Sequence, residues 1–106
     1  MAVVAYLRVS TEKQFLENQR EEIVRFAERN GMSIDKWYTE TVSGSVSSKE
    51  RKLSGVLDKM RPGDSLIVTE ISRLSRTLLE IMTILNSCIK KGVILYSTKR
   101  RIRFSE

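Results

Sequence analysis

The sequence has no histidine, a single cysteine and a single proline, and each scarcity closes a route. Without an imidazole there is no usual general base and no commonest metal ligand, which excludes Ser-His-Asp triads and zinc sites. The lone Cys88 has no partner for an internal disulfide. No apolar run approaches the roughly 20 residues needed to span a bilayer. The opening Met1-Ala2-Val3-Val4-Ala5-Tyr6 lacks the basic segment that precedes the apolar stretch of a secretory signal. A cytoplasmic protein with no membrane partner is expected.

At 106 residues, 41% hydrophobic and 30% charged, the chain has the balance of one compact globular domain. Nineteen Lys and Arg against 13 Asp and Glu leave a formal charge of +6. Clustered cations favour a polyanion, and nucleic-acid phosphates are the commonest one, although charge alone does not single them out.

Val3-Val4-Ala5-Tyr6-Leu7 is a β-rich run without a breaker, suited to a strand buried on both faces, and it ends at Arg8-Val9-Ser10. Thr11 and Gln14 form a capping box, predicting a helix to about Asn30, where Asn30-Gly31 supplies a stop. Ile34 to Thr39 reads as the second strand, and the small polar residues Thr41 to Ser48 read as a loop. Ser47 and Glu50 offer another capping box for a short helix carrying Val56, Leu57 and Met60, closed by the turn Arg61-Pro62-Gly63-Asp64.

Ser65 to Thr69 is the third strand. Thr77 and Glu80 then cap a helix whose apolar residues Leu78, Ile81, Met82, Leu85, Cys88 and Ile89 make one stripe, with Leu79 and Ile84 off it. Cys88 on that stripe reads as a small core hydrophobe. The last predicted strand is Val93 to Ser97, followed by a basic tail from Lys99 to Phe104. This alternation predicts an α/β fold in three layers, a mainly parallel β-sheet of four to five strands flanked by helices.

Ligands in such sheets sit beyond the carboxyl ends of the strands. The first strand delivers Arg8 and Ser10 to that edge, the second Glu40 and Ser43, and the third Ser72, Arg73 and Arg76. A serine at a helix N-terminus faces backbone N–H groups that favour a phosphate, and arginine forks grip phosphate oxygens in pairs. That combination suits phosphoryl chemistry without a metal. Singly, Ser10 is an ordinary helix-start serine, Arg73 and Arg76 are surface charges, Tyr6 is a core aromatic and Gln19 is a solvated helix residue. Their convergence carries the functional reading.

Tyr6-Leu7-Arg8-Val9-Ser10-Thr11 followed by Gln14 and Gln19 resembles the opening of the resolvase and invertase serine recombinases. Ser43-Gly44, Arg51, Gly63-Asp64 and Arg73-Leu74-Ser75-Arg76 appear in the family's order and approximate spacing, and Tyr96-Ser97-Thr98-Lys99 looks most like the DNA-invertase branch. The resemblance implies a resolvase-like catalytic domain. Ser10 would attack a DNA phosphodiester to give a 5′-phosphoserine link and a free 3′-hydroxyl, with Arg8, Arg73, Arg76 and Arg51 stabilising the transition state. Tyr6, Glu40 and Gln19 would complete the catalytic set, Ser43 would join the arginines in binding DNA, and no cofactor is implied.

Three departures bear on these roles. The loop from Ser43 to Arg51 is about two residues longer than the family's usual pattern, so that Lys49 sits at the usual arginine spacing. The usual Asp before the Arg-Leu pair is Ser72, and the usual Asp before the Ser-Gly loop is Glu40. Glu40 is therefore the one carboxylate left at those positions to orient the arginines or move the serine proton.

The resemblance further implies double-stranded DNA as partner, with a homodimer and a synaptic homotetramer in the full-length protein, in a bacterial cytoplasm and associated with the nucleoid. The family continues into a long dimerisation helix and a helix-turn-helix, so these residues read as a fragment expected to bind DNA weakly and without sequence preference. A serine-type transposase shares the same motifs, and a noncatalytic DNA-associated assembly module is the alternative that the Ser72 departure suggests.

Overall fold

The computed structural model describes residues 1–9, 13–41, 52–70, 77–99 and 102–104. Its elements run β1 (Val3–Val9), α1 (Lys13–Arg29), β2 (Lys36–Thr41), α2 (Lys52–Lys59), β3 (Ser65–Val68), α3 (Leu78–Lys91), β4 (Ile94–Ser97) and β5 (Ile102–Phe104). The strands form one sheet in the order β2-β1-β3-β4-β5, with β1 to β4 parallel and β5 antiparallel to β4.

β1 lies inside the sheet and feeds two cores, as its unbroken apolar run requires. Successive strand residues point to opposite faces. Val4 and Tyr6 join Leu53, Val56, Leu57, Ile84, Cys88 and Leu95 beneath α2 and α3, while Ala5 and Leu7 pack with Ile23, Ile67 and Phe26 beneath α1. Helices on both faces give the expected three layers. The chain passes from β1 to β2 in one direction and from β2 back to β3 in the other, so right-handed crossovers put α1 and α2 on opposite faces. The strand order thus reverses between β1 and β3, the kind of switch point beyond whose strand carboxyl ends ligands bind in such sheets.

Local chemistry sets the ends of the elements. Thr77 caps α3, its side-chain oxygen accepting from the Glu80 N–H at 3.2 Å, as the sequence pattern foretells. Gly92 ends the same helix in the left-handed region at φ 75°, its N–H bonding back to Cys88 and Ile89. At the other edge of the sheet, two carboxylates hold the start of β1. Asp64 accepts from the Ala2 and Arg61 N–H groups, each at 2.9 Å, and Asp35 accepts from Val3 N–H at 2.8 Å. The Thr11–Gln14 and Ser47–Glu50 capping boxes fall outside what the structure describes.

β5, Ile102–Phe104, lies within the basic tail and pairs with β4, Leu95 opposite Phe104, which gives the sheet the upper number of the four to five strands expected, one beyond the last strand placed from the sequence. The apolar stripe of α3 is a correction, because it is rotated. Ile84, placed off the stripe, is buried, whereas Leu78 and Met82 are exposed together with Leu79. At about 100° per residue Ile84 lies roughly 40° from Cys88, and Met82 lies about 120° from it, so the helix rests on the Ile81–Ile84–Leu85–Cys88 side of a wider apolar arc.

Candidate active site

At the carboxyl edge of the sheet β1 and β2 stay in register to their ends, Tyr6 beside Tyr38, Arg8 beside Glu40 and Val9 beside Thr41. The structure therefore brings Glu40 beside two other expected residues, Tyr6 and Arg8, that lie more than thirty positions before it in the sequence. The Tyr6 ring is buried at 1% exposure and its hydroxyl donates to Glu40 Oε1 at 2.8 Å, within a site where Glu40 is itself buried. Tyr6 is both a core aromatic and a polar anchor, which merges the two readings of it.

Gln19, the fourth expected residue in view, comes from the second turn of α1 and is buried rather than solvated. Its Oε1 accepts from Thr69 Oγ1 at 3.5 Å, just past the end of β3, and its Nε2 is buried without a hydrogen-bond partner among the described residues. Thr69 was not singled out by the sequence, yet it is a junction. Its carbonyl accepts from Ser97 Oγ at 3.2 Å, Thr98 Oγ1 at 3.4 Å and Lys99 N–H at 2.9 Å, so the exit of β4 wraps the end of β3. Gln19, Thr69, Glu70 and Lys99 line a pocket of about 420 Å³ on the α1 side of this edge. A larger cavity, about 670 Å³, lies toward the other end of α1 between Phe26, Arg29, Asn30 and Tyr96, away from the Arg8–Glu40 pair.

Ser10, Ser43, Arg51, Arg73 and Arg76, with Lys49 and Ser72, lie outside the described residues. Their flanks are placed. Ser10 follows β1 directly, and residues 71–76 lie between the end of β3 and α3, so both attach to the two strands that flank the reversal. Cys88 offers no rival nucleophile, because burial pushes its thiol up to about 11 and leaves it protonated at neutral pH.

The comparisons with known proteins agree with this fold. Residues 3–106 match the family described as "Resolvase, N terminal domain". A transposon Tn2501 resolvase of Escherichia coli is 45% identical over 82 residues, covering 74% of this chain and 40% of that protein. A resolvase of Clostridium perfringens is 32% identical over 97 residues, covering 92% of this chain and 49% of that one. Among solved structures, the N-terminal catalytic domain of TP901-1 integrase superposes with a TM-score of 0.77 at 22% identity, covering 97% of this chain and 81% of that one, a likeness of fold. The chain spans about half the length of the curated relatives it matches. It belongs to the resolvase family of serine recombinases, through that family's N-terminal domain.

Proposed function

We propose that this chain is the catalytic domain of a site-specific DNA recombinase that cleaves and rejoins double-stranded DNA through Ser10. The observation that carries the reading is the in-register pairing of Arg8 with Glu40 at the carboxyl ends of β1 and β2, with Ser10 two residues beyond Arg8 in a chain that matches the family over residues 3–106. The Ser10 hydroxyl gives up its proton and attacks phosphorus. The Oγ–P bond forms, the bond from phosphorus to the 3′ oxygen breaks, and that oxygen leaves as a hydroxyl. A 3′-hydroxyl of the exchanged strand reverses the step and reseals the DNA. The ester linkage is conserved throughout, so no external energy source enters.

Charge builds on the nonbridging oxygens during this transfer, and fixed guanidinium groups stabilise it. Arg8, Arg73, Arg76 and Arg51 are assigned that role, with Glu40 and Gln19 in support and Ser43 on the DNA. The full-length protein is assigned to work in the cytoplasm on the nucleoid, binding as a dimer and cleaving in a synaptic tetramer. The test incubates that protein with its recombination site, quenches with denaturant and looks for protein on DNA ends, with Ser10→Ala as control. An adduct that vanishes in the variant supports the reading. Intact binding without an adduct favours the noncatalytic alternative.

A further inference from the structure

Glu40 can serve the site in two ways, as acceptor of the Ser10 proton or as a fixed partner for an arginine, and its surroundings separate them. In a paired ladder, residues in register share a face. Tyr6 and Tyr38 both pack into the core beneath α2 and α3, so Arg8 and Glu40, two residues further along each strand, belong to that face as well. An aromatic side chain is long enough to reach the diagonal neighbour on the next strand, and the Tyr6 hydroxyl does so at 2.8 Å. The phenol is buried and its proton is directed to Glu40, so it does not meet a DNA phosphate. Glu40 in turn is nine-tenths buried, pinned at Oε1, with Arg8 as its neighbour in register. α1, the next described element, packs on the opposite face.

We propose that Tyr6 is a positioning residue: its hydroxyl fixes the Glu40 carboxylate beside Arg8, so that Glu40 acts by orienting the Arg8 guanidinium and does not take the Ser10 proton. This rests on the recombinase reading for its consequence, though not for its geometry. A carboxylate pinned at the position in register with Arg8 would offer the guanidinium a fixed partner before the phosphate arrives, and preorganisation of this kind is what makes a donor effective in the transition state.

The test compares full-length wild type, Tyr6→Phe, Glu40→Gln and the double variant for the first-order rate of adduct formation across pH. Each single change is expected to slow the reaction about tenfold, the kinetic equivalent of one lost hydrogen bond to a charged group. The double variant is expected to be no slower than the slower single, and the pH profile is expected to keep its shape. Additive losses, a Tyr6→Phe enzyme at the wild-type rate, or a profile flattened by Glu40→Gln overturn the proposal. A second readout needs no cleavage: exchange of the Arg8 Nε proton in the 106-residue chain, followed by NMR, is expected to quicken in both single variants. Unchanged exchange overturns the positioning role even where Ser10 forms its adduct. A wild type that forms no adduct while Arg8 exchange responds overturns the recombinase reading instead and supports the positioning.

Discussion

Removing the Gln19–Thr69 pair should make the fold more stable and the enzyme worse. Both side chains are buried, Gln19 at 6% and Thr69 at 2% exposure. The bond between them is stretched to 3.5 Å, and the Gln19 amide nitrogen makes none among the described residues. A buried donor left without a partner costs about 1–3 kcal/mol, whereas a well-formed hydrogen bond contributes only about 0.5–1.5 kcal/mol. Gln19→Met with Thr69→Val replaces both partners by apolar groups of similar shape and removes the orphan, for a net stabilisation of about 1 kcal/mol. In a chain of about 100 residues that raises Tm by roughly 4–8 °C. Gln19→Met alone leaves the Thr69 hydroxyl without its acceptor and should gain less. Calorimetry on the 106-residue chain reads the shift, and adduct formation by the full-length double variant is expected to fall, as for a residue kept for function at the expense of stability. A lower Tm in the double variant would refute the reasoning.

Other consequences are equally open to measurement. Backbone bonds from Arg61 and Ala2 hold the Asp64 carboxyl below its ordinary value of 3.8, so its contribution is full above that value and is lost as pH falls through the lower, folded value. Asp64→Asn should therefore cost about 1–3 kcal/mol at neutral pH, by turning an amide donor toward one of those N–H groups, and should flatten the acid limb of stability. An unchanged acid limb in chemical denaturation would contradict this. Cys88, with its thiol pushed up to about 11, should resist iodoacetamide at pH 8 in the folded chain and react fully in denaturant; labelling at the rate of a free thiol would contradict its burial. Gly92→Ala meets Pro62 Cβ at 3.3 Å at a φ of +75°, and thermal melts should show a loss of about 1–2 kcal/mol, the usual cost of a side chain in the left-handed region.

The parts of the fold visible in the sequence are those fixed by neighbours along the chain. The apolar run of β1, the Thr77 cap and the Asn30-Gly31 stop are local signals, and each stands where the pattern puts it. β5 was not placed because three residues inside a basic tail make too short a run, and pairing with β4 supplies what the local pattern lacks. The rotation of α3 was missed because its apolar arc is wider than the strip it buries, and only the sheet decides which margin faces in. The same division runs through the site. Strand ends point to Arg8 and Glu40, but the Tyr6–Glu40 bond depends on register, and the Gln19–Thr69 contact joins residues 50 positions apart with no pattern to announce it.

The central claim is that Ser10 becomes joined to a DNA 5′ phosphate. The most direct measurement digests the denaturant-quenched complex of the full-length protein and its site with protease and nuclease, then locates the nucleotide-bearing peptide by mass spectrometry while terminal transferase labels the other DNA end. A nucleotide phosphate on Ser10, with 3′ ends that accept label, is the expected result. A modified residue other than Ser10, or protein joined to the 3′ end, would contradict the account.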